Sequence, residues 1–135
     1  MELKDWIDIN KLNFSYLSLN PNAIELLKEN PDKINWDLLS LNPNGYIILN
    51  ENLDKINWSC LSENRGAIEI LKANPKKIDW YYLSLNPNAY ELLKSNQNLI
   101  NWCNMSENPS VIDILKKNKS RINWYILSTN SAIFE

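Results

Sequence analysis

The sequence contains no histidine, which removes the commonest general base and the commonest transition-metal ligand in one stroke. It has only two glycines, Gly45 and Gly66, so no glycine-rich loop can cradle a phosphate. Basic charge is also lacking: the formal net charge is -2, and the electrostatic footprint of nucleic-acid binding is missing. The expected partner is therefore another protein, with no nucleic acid and no membrane. Lys116, Lys117, Lys119 and Arg121 form one local basic cluster, read first as a solvated turn and second as a contact for phosphate or an acidic partner. No apolar run reaches signal-peptide or membrane-span length, so a soluble intracellular protein is expected. No cofactor, metal site or enzymatic activity is expected.

What the sequence does have is a period. From Trp36, steps of 22 residues reach Trp58, Trp80, Trp102 and Trp124 in one direction and Phe14 in the other. The same step links Ser18, Ser40, Ser62, Ser84, Ser106 and Ser128, and likewise Asn20, Asn42, Asn64, Asn86, Asn108 and Asn130. Such a fixed period implies an array in which each unit buries its apolar face against its neighbours. Residues 1–11 follow the period poorly and read as a divergent N-terminal cap, with Trp6, Ile7 and Ile9 covering the first unit. Residues 12–135 read as six tandem repeats, the last one truncated. Cys60 and Cys103 fall in different phases almost two units apart, too far for a disulfide, and read as reduced thiols. Asn accounts for 23 of the 135 residues, and its abundance alongside Ile and Lys suggests an A/T-rich genome.

Within a unit, Asn35 and its counterparts Asn57, Asp79, Asn101 and Asn123 are favoured helix N-caps. Ile34 and Leu39 then stand at the two positions of a hydrophobic staple, a pair that every unit repeats. This first helix must be short, because proline follows Asn20, Asn42, Asn86 and Asn108. That proline is expected at the first position of a second helix, which spans Pro21 to Glu29 in the first unit and is stopped by Asn30. The expected fold is all-α: an α-solenoid of two short helices per 22-residue repeat. A β/α horseshoe of leucine-rich type fits the period too, but Trp36 and Leu39 are three apart, a helical step rather than the alternation of a strand.

At Leu17 to Trp36, LSLNPNAIELLKENPDKINW, the chain resembles the tandem repeats found in many proteins of giant viruses infecting amoebae. The resemblance runs from Leu12 onward and rests on N-P-N-A-I-x-L-L followed by K-I-N/D-W-x-x-L-S. It implies a place in the host cytoplasm or the virion, and no particular activity. More loosely, the unit also resembles bacterial variant leucine-rich repeats, which are helical.

Positions that stay fixed build the spine, and positions that vary are free to face a ligand. Two variable positions follow the tryptophan. They bring Tyr16, Asp37, Tyr81, Tyr82, Asn104 and Tyr125 into one expected partner-binding strip, where tyrosine offers large contact area at low entropic cost. The alternative for the second position is that it fills space between helices. Six copies of one serine without a histidine argue against a nucleophile. The expected function is a non-catalytic protein-protein interaction scaffold. A structural, self-assembling role is the alternative, through Trp124, Leu127, Ile133 and Phe134 of the truncated unit, giving a homo-dimer by the C-terminal end unless Phe134 folds back over it.

Overall fold

The computed structural model describes residues 2–134, which contain helices and turns but no strand. The first helix of each unit is α1 (Phe14–Leu19), α3 (Trp36–Leu41), α5 (Trp58–Glu63), α7 (Trp80–Leu83), α9 (Trp102–Glu107) or α11 (Trp124–Leu127). The second is α2 (Ile24–Glu29), α4 (Tyr46–Leu49), α6 (Ile68–Ala73), α8 (Tyr90–Ser95) or α10 (Ile112–Lys117). Helices pack in neighbouring pairs, α1 on α3, α3 on α5, α5 on α7 and α9 on α11, while α1, α3 and α5 also pack on the second helix of their own unit.

The first helices begin where their caps demand. The Asn35 side chain, with its backbone extended, accepts the Leu38 N–H at 3.1 Å. Asn13, Asn57, Asn101 and Asn123 repeat that bond three residues on, while Asp79 takes the Tyr81 N–H, two residues on. Each such cap is worth about 1 kcal/mol.

The second helices after Pro21, Pro43 and Pro87 start later than the prolines suggest, whereas at Asn108 a 3₁₀ turn, Pro109–Val111, begins at the proline and runs directly into α10. Asn20 does not cap a helix: its Oδ1 accepts the Asn22 N–H at 3.0 Å, closing an Asx turn that holds Pro21 and Asn22 outside the helix. α2 therefore starts at Ile24, after Ala23, and has six residues instead of the expected nine. Its end also differs from an ordinary left-handed cap. Asn30 sits at φ -132° and its side-chain amide donates back to the Leu26 carbonyl at 2.9 Å. Asn52, Asn74, Asn96 and Asn118 do the same. A 3₁₀ turn then leads to the next unit in four places, at Pro31–Lys33, Leu53–Lys55, Pro75–Lys77 and Lys119–Arg121.

The core is a row of leucines rather than of tryptophans. Leu27, Leu49, Leu71, Leu93 and Leu115 from the second helices meet Leu39, Leu61, Leu83 and Met105 from the first, all essentially inaccessible. Each contributes roughly 1.5–3 kcal/mol. Trp36, Trp58, Trp80 and Trp102 are half-buried and flank this row. Helices of four to six residues are unstable alone. Their persistence here rests on this shared core and on the bonds between units described next.

At the N-terminal end the expected cover is partial. Ile7 and Ile9 are half-buried, but Trp6 is 81% exposed and shields nothing.

Candidate functional site

Two sets of positions must be told apart: those consumed by joints between units and those left facing solvent. The joints use the fixed serine and asparagine. Ser40 Oγ donates to the Trp36 carbonyl at 2.8 Å and accepts the Asn57 N–H of the next unit at 3.1 Å. Ser18, Ser62, Ser84 and Ser106 make the same two bonds. The hydroxyl is thus a relay that ties one helix to the N-cap of the following one.

The asparagine does more. Asn64 Nδ2 donates to the carbonyls of Ser40 and Asn42 in the preceding unit, at 2.9 and 2.8 Å, while its Oδ1 accepts the Gly66 N–H at 2.9 Å. Asn42, Asn86, Asn108 and Asn130 reach back to the same two carbonyls of their own preceding units. These side chains are buried, and no buried side-chain polar atom among the described residues lacks a partner. A buried amide left unpaired is costly, so the paired ladder fixes the register of one unit on the next. The asparagine Oδ1 closes an Asx turn at Asn20, Asn42, Asn64 and Asn86, and at Asn108 and Asn130 it caps a short 3₁₀ helix.

The variable positions present a different picture. Tyr16, Tyr81, Tyr82 and Tyr125 are all exposed. Only Tyr81 and Tyr82 meet, edge to face with ring centroids 5.1 Å apart, an arrangement aromatic pairs favour. Asn104 joins them: its Nδ2 donates to the Tyr81 carbonyl at 2.8 Å, so this polar departure ties α9 to α7. Asp37 lies apart, accepting a bond from the Asn57 side chain at 2.9 Å. Tyr16 and Tyr125 stand on the first and last of the first helices, away from the pair. At the second position Leu38, Cys60 and Ile126 are half-buried, the space-filling alternative.

Around this surface the charged groups do little unusual chemistry. Burial, then Asp37 and Glu63, push the Cys60 thiol above its ordinary range and keep it protonated. Cys60 and Cys103 are both free. Lys33 lies over Phe14 at 4.7 Å, Lys55 over Trp36 at 4.6 Å and Arg121 over Trp102 at 5.2 Å, so the cation that closes a unit covers the ring that opens it. Arg121 is thereby engaged, while Lys116, Lys117 and Lys119 are exposed. Among the described residues no group of three or more His, Cys, Asp or Glu is placed to hold a metal ion, and no helix is long and apolar enough to cross a membrane.

The α11 end is open. Trp124 is 62% exposed, and Ile122 and Leu127 are half-buried where their counterparts in the second to fifth units are buried. Phe134 is 79% exposed and does not fold back over them. Ile133 is exposed beside it.

Compared with the known protein families, with the curated proteins and with the solved structures, the chain matches none.

Proposed function

We propose that the chain is a non-catalytic protein-interaction scaffold whose units stack as an α-solenoid, with the Tyr81–Tyr82 pair and Asn104 at the centre of its contact surface. The observation that carries this reading is the division of labour within the unit. The fixed serines and asparagines other than Ser128 and Asn20 are buried and engaged by bonds between units, and the variable positions bear large exposed side chains. The serines also lack any histidine to activate them. The resemblance of Leu17–Trp36 to giant-virus repeats supports a setting in the host cytoplasm or the virion.

The test is a pull-down on the immobilised chain beside the double variant Tyr81→Ala, Tyr82→Ala. The proposal expects the variant to lose bound protein while its far-ultraviolet circular dichroism is unchanged. Equal capture by both would move the interface to the second helices or to the ends.

A second reading, self-assembly, is favoured by the open α11 end, where Trp124 and Phe134 are largely exposed. Light scattering across a dilution series separates the two: mass that grows with concentration, and returns to monomer in Phe134→Asp, supports assembly.

A further inference from the structure

The turn that leads from one unit to the next changes its charge along the chain. In the first two units, residues 28–34 and 50–56, three lysines are set against Glu29, Asp32, Glu51 and Asp54. In the next three, residues 72–78, 94–100 and 116–122, seven lysines and one arginine stand with no Asp or Glu among them. Position by position, Asp32 and Asp54 give way to Lys76, Asn98 and Ser120, and Glu29 and Glu51 to Ala73, Ser95 and Lys117.

The fold does not ask for this change. Pro31–Lys33, which contains Asp32, and Lys119–Arg121, which contains no acid, form the same 3₁₀ turn. Lysines in the last turns of α6, α8 and α10 suit the negative ends of those helices, but Lys76, Lys77 and Lys119 lie beyond them. All eight cations are exposed. Lys72 pairs with Glu69 at 2.9 Å, and Lys94 and Arg121 lie over the rings of Tyr90 and Trp102. Lys76, Lys77, Lys116 and Lys119 have neither a carboxylate nor a ring as partner among the described residues.

The three turns form one edge. The N-caps that follow them, Asp79, Asn101 and Asn123, each bond to a serine of the preceding first helix, and the Asn118 amide donates to Gln97 Oε1 at 3.3 Å across two turns. Packed helices lie about 8–10 Å apart, close to the screening length at physiological salt, so cations on neighbouring turns add their potentials. Leu99 sits in the middle turn, one period from Lys77 on one side and from Arg121 on the other, and is 46% exposed.

We infer that this edge docks an acidic protein segment running along the stack, with its carboxylates on the turn cations and an apolar side chain on Leu99. It is a second contact surface, separate from the tyrosine strip of the first helices and independent of it. Charge alone suits any polyanion. The exposed leucine fits a polypeptide, and none of the three turns carries an aromatic ring on which a nucleic-acid base would stack. Spacing agrees as well: an extended polyproline-II chain returns to the same face every three residues, about 9 Å along, which is the step from one unit to the next.

The experiment is fluorescence anisotropy at low salt, with a labelled all-glutamate peptide interrupted by one central leucine. The 135-residue chain is compared with the double variant Lys76→Asp, Lys117→Glu, which carries at those positions the residues of the first two units and so keeps the turns. The wild type is expected to bind, and the double variant to bind roughly tenfold more weakly, as the loss of several exposed charge pairs requires. Tyr81→Ala with Tyr82→Ala is expected to bind as the wild type does, and Leu99→Ser to lose the preference for this peptide over one of glutamate alone. No binding by the wild type, or equal binding by the double variant, overturns the inference and leaves the tyrosine strip standing. A wild type that does not prefer the leucine-bearing peptide has a general polyanion site, and that also overturns it. So does tighter binding, through the same lysines, of polyuridylate or of phosphatidylcholine vesicles containing phosphatidylserine.

Discussion

Ser62 Oγ lies 2.7 Å from the Trp58 carbonyl, to which it donates, and 2.9 Å from the Asp79 N–H, which it accepts. One buried hydroxyl thereby finishes a helix of its own unit and anchors the cap of the next. Ser62→Ala leaves both backbone groups short of a partner and is expected to cost about 1–3 kcal/mol. Ser128→Ala, which lacks the second bond, is expected to change stability by no more than roughly 0.5 kcal/mol. Urea unfolding of the two variants side by side measures the difference.

The asparagine ladder makes a sharper claim. Asn64→Asp exchanges a donor for a carboxylate facing the Ser40 and Asn42 carbonyls in a buried site. The expected loss, about 3–5 kcal/mol, is that of a buried charge without a counter-ion. It should shrink as pH falls and the carboxyl protonates to a form that can donate. Thermal unfolding at neutral and acid pH reads both.

Gly66 stands where other units carry Asn44 and Asn88, whose amides cross to the carbonyls of Pro21 and Arg65 at 2.9 Å. Lacking that side chain, the backbone at Gly66 closes in until an added Cβ would lie 1.9 Å from the Pro43 carbonyl oxygen. Gly66→Ala is expected to destabilise by about 1–3 kcal/mol, the usual cost of overpacking, measurable as a lowered urea midpoint. The backbone itself is not in the left-handed region, so the cost is steric.

A fourth expectation concerns pH. The Tyr90 hydroxyl donates to Asp113 Oδ2 at 2.6 Å, a bond between neighbouring units that holds the Asp113 carboxyl below its ordinary range and raises the Tyr90 phenol above its own. For Asp113 the stabilisation is present above its unfolded value and fades as pH falls through the folded one. For Tyr90 it is present below the ordinary phenol value and fades as pH rises through the raised one. Ultraviolet titration of Asp113→Asn should show one phenol returning to lower pH, and Tyr90→Phe should remove that phenol from the curve.

Much of the architecture was legible because it is repeated. The 22-residue step, the N-cap at Asn35 and the helical spacing of Trp36 and Leu39 all depend on local chemistry that a single chain displays several times. The start of α2 was misread because Asn20 has two competing uses. Its oxygen can cap a helix at Pro21 or close an Asx turn with Asn22, two local bonds of like chemistry between which propensity does not choose. The serine relay was hidden because its second partner lies 17 residues on. Of the candidate surface, the tyrosines were visible in the repeat, but the grouping of Tyr81, Tyr82 and Asn104 apart from Tyr16, Tyr125 and Asp37 needed three dimensions.

The amides of Asn42, Asn64, Asn86, Asn108 and Asn130 all close on main-chain oxygens. Every amino acid carries such an oxygen, so these bonds recognise the path of the neighbouring chain and are blind to its side chains. Each unit can therefore drift in sequence at its outward positions, or be copied beside a different neighbour, without its asparagine losing its partners. Arg65 in place of a proline is already an example of that freedom.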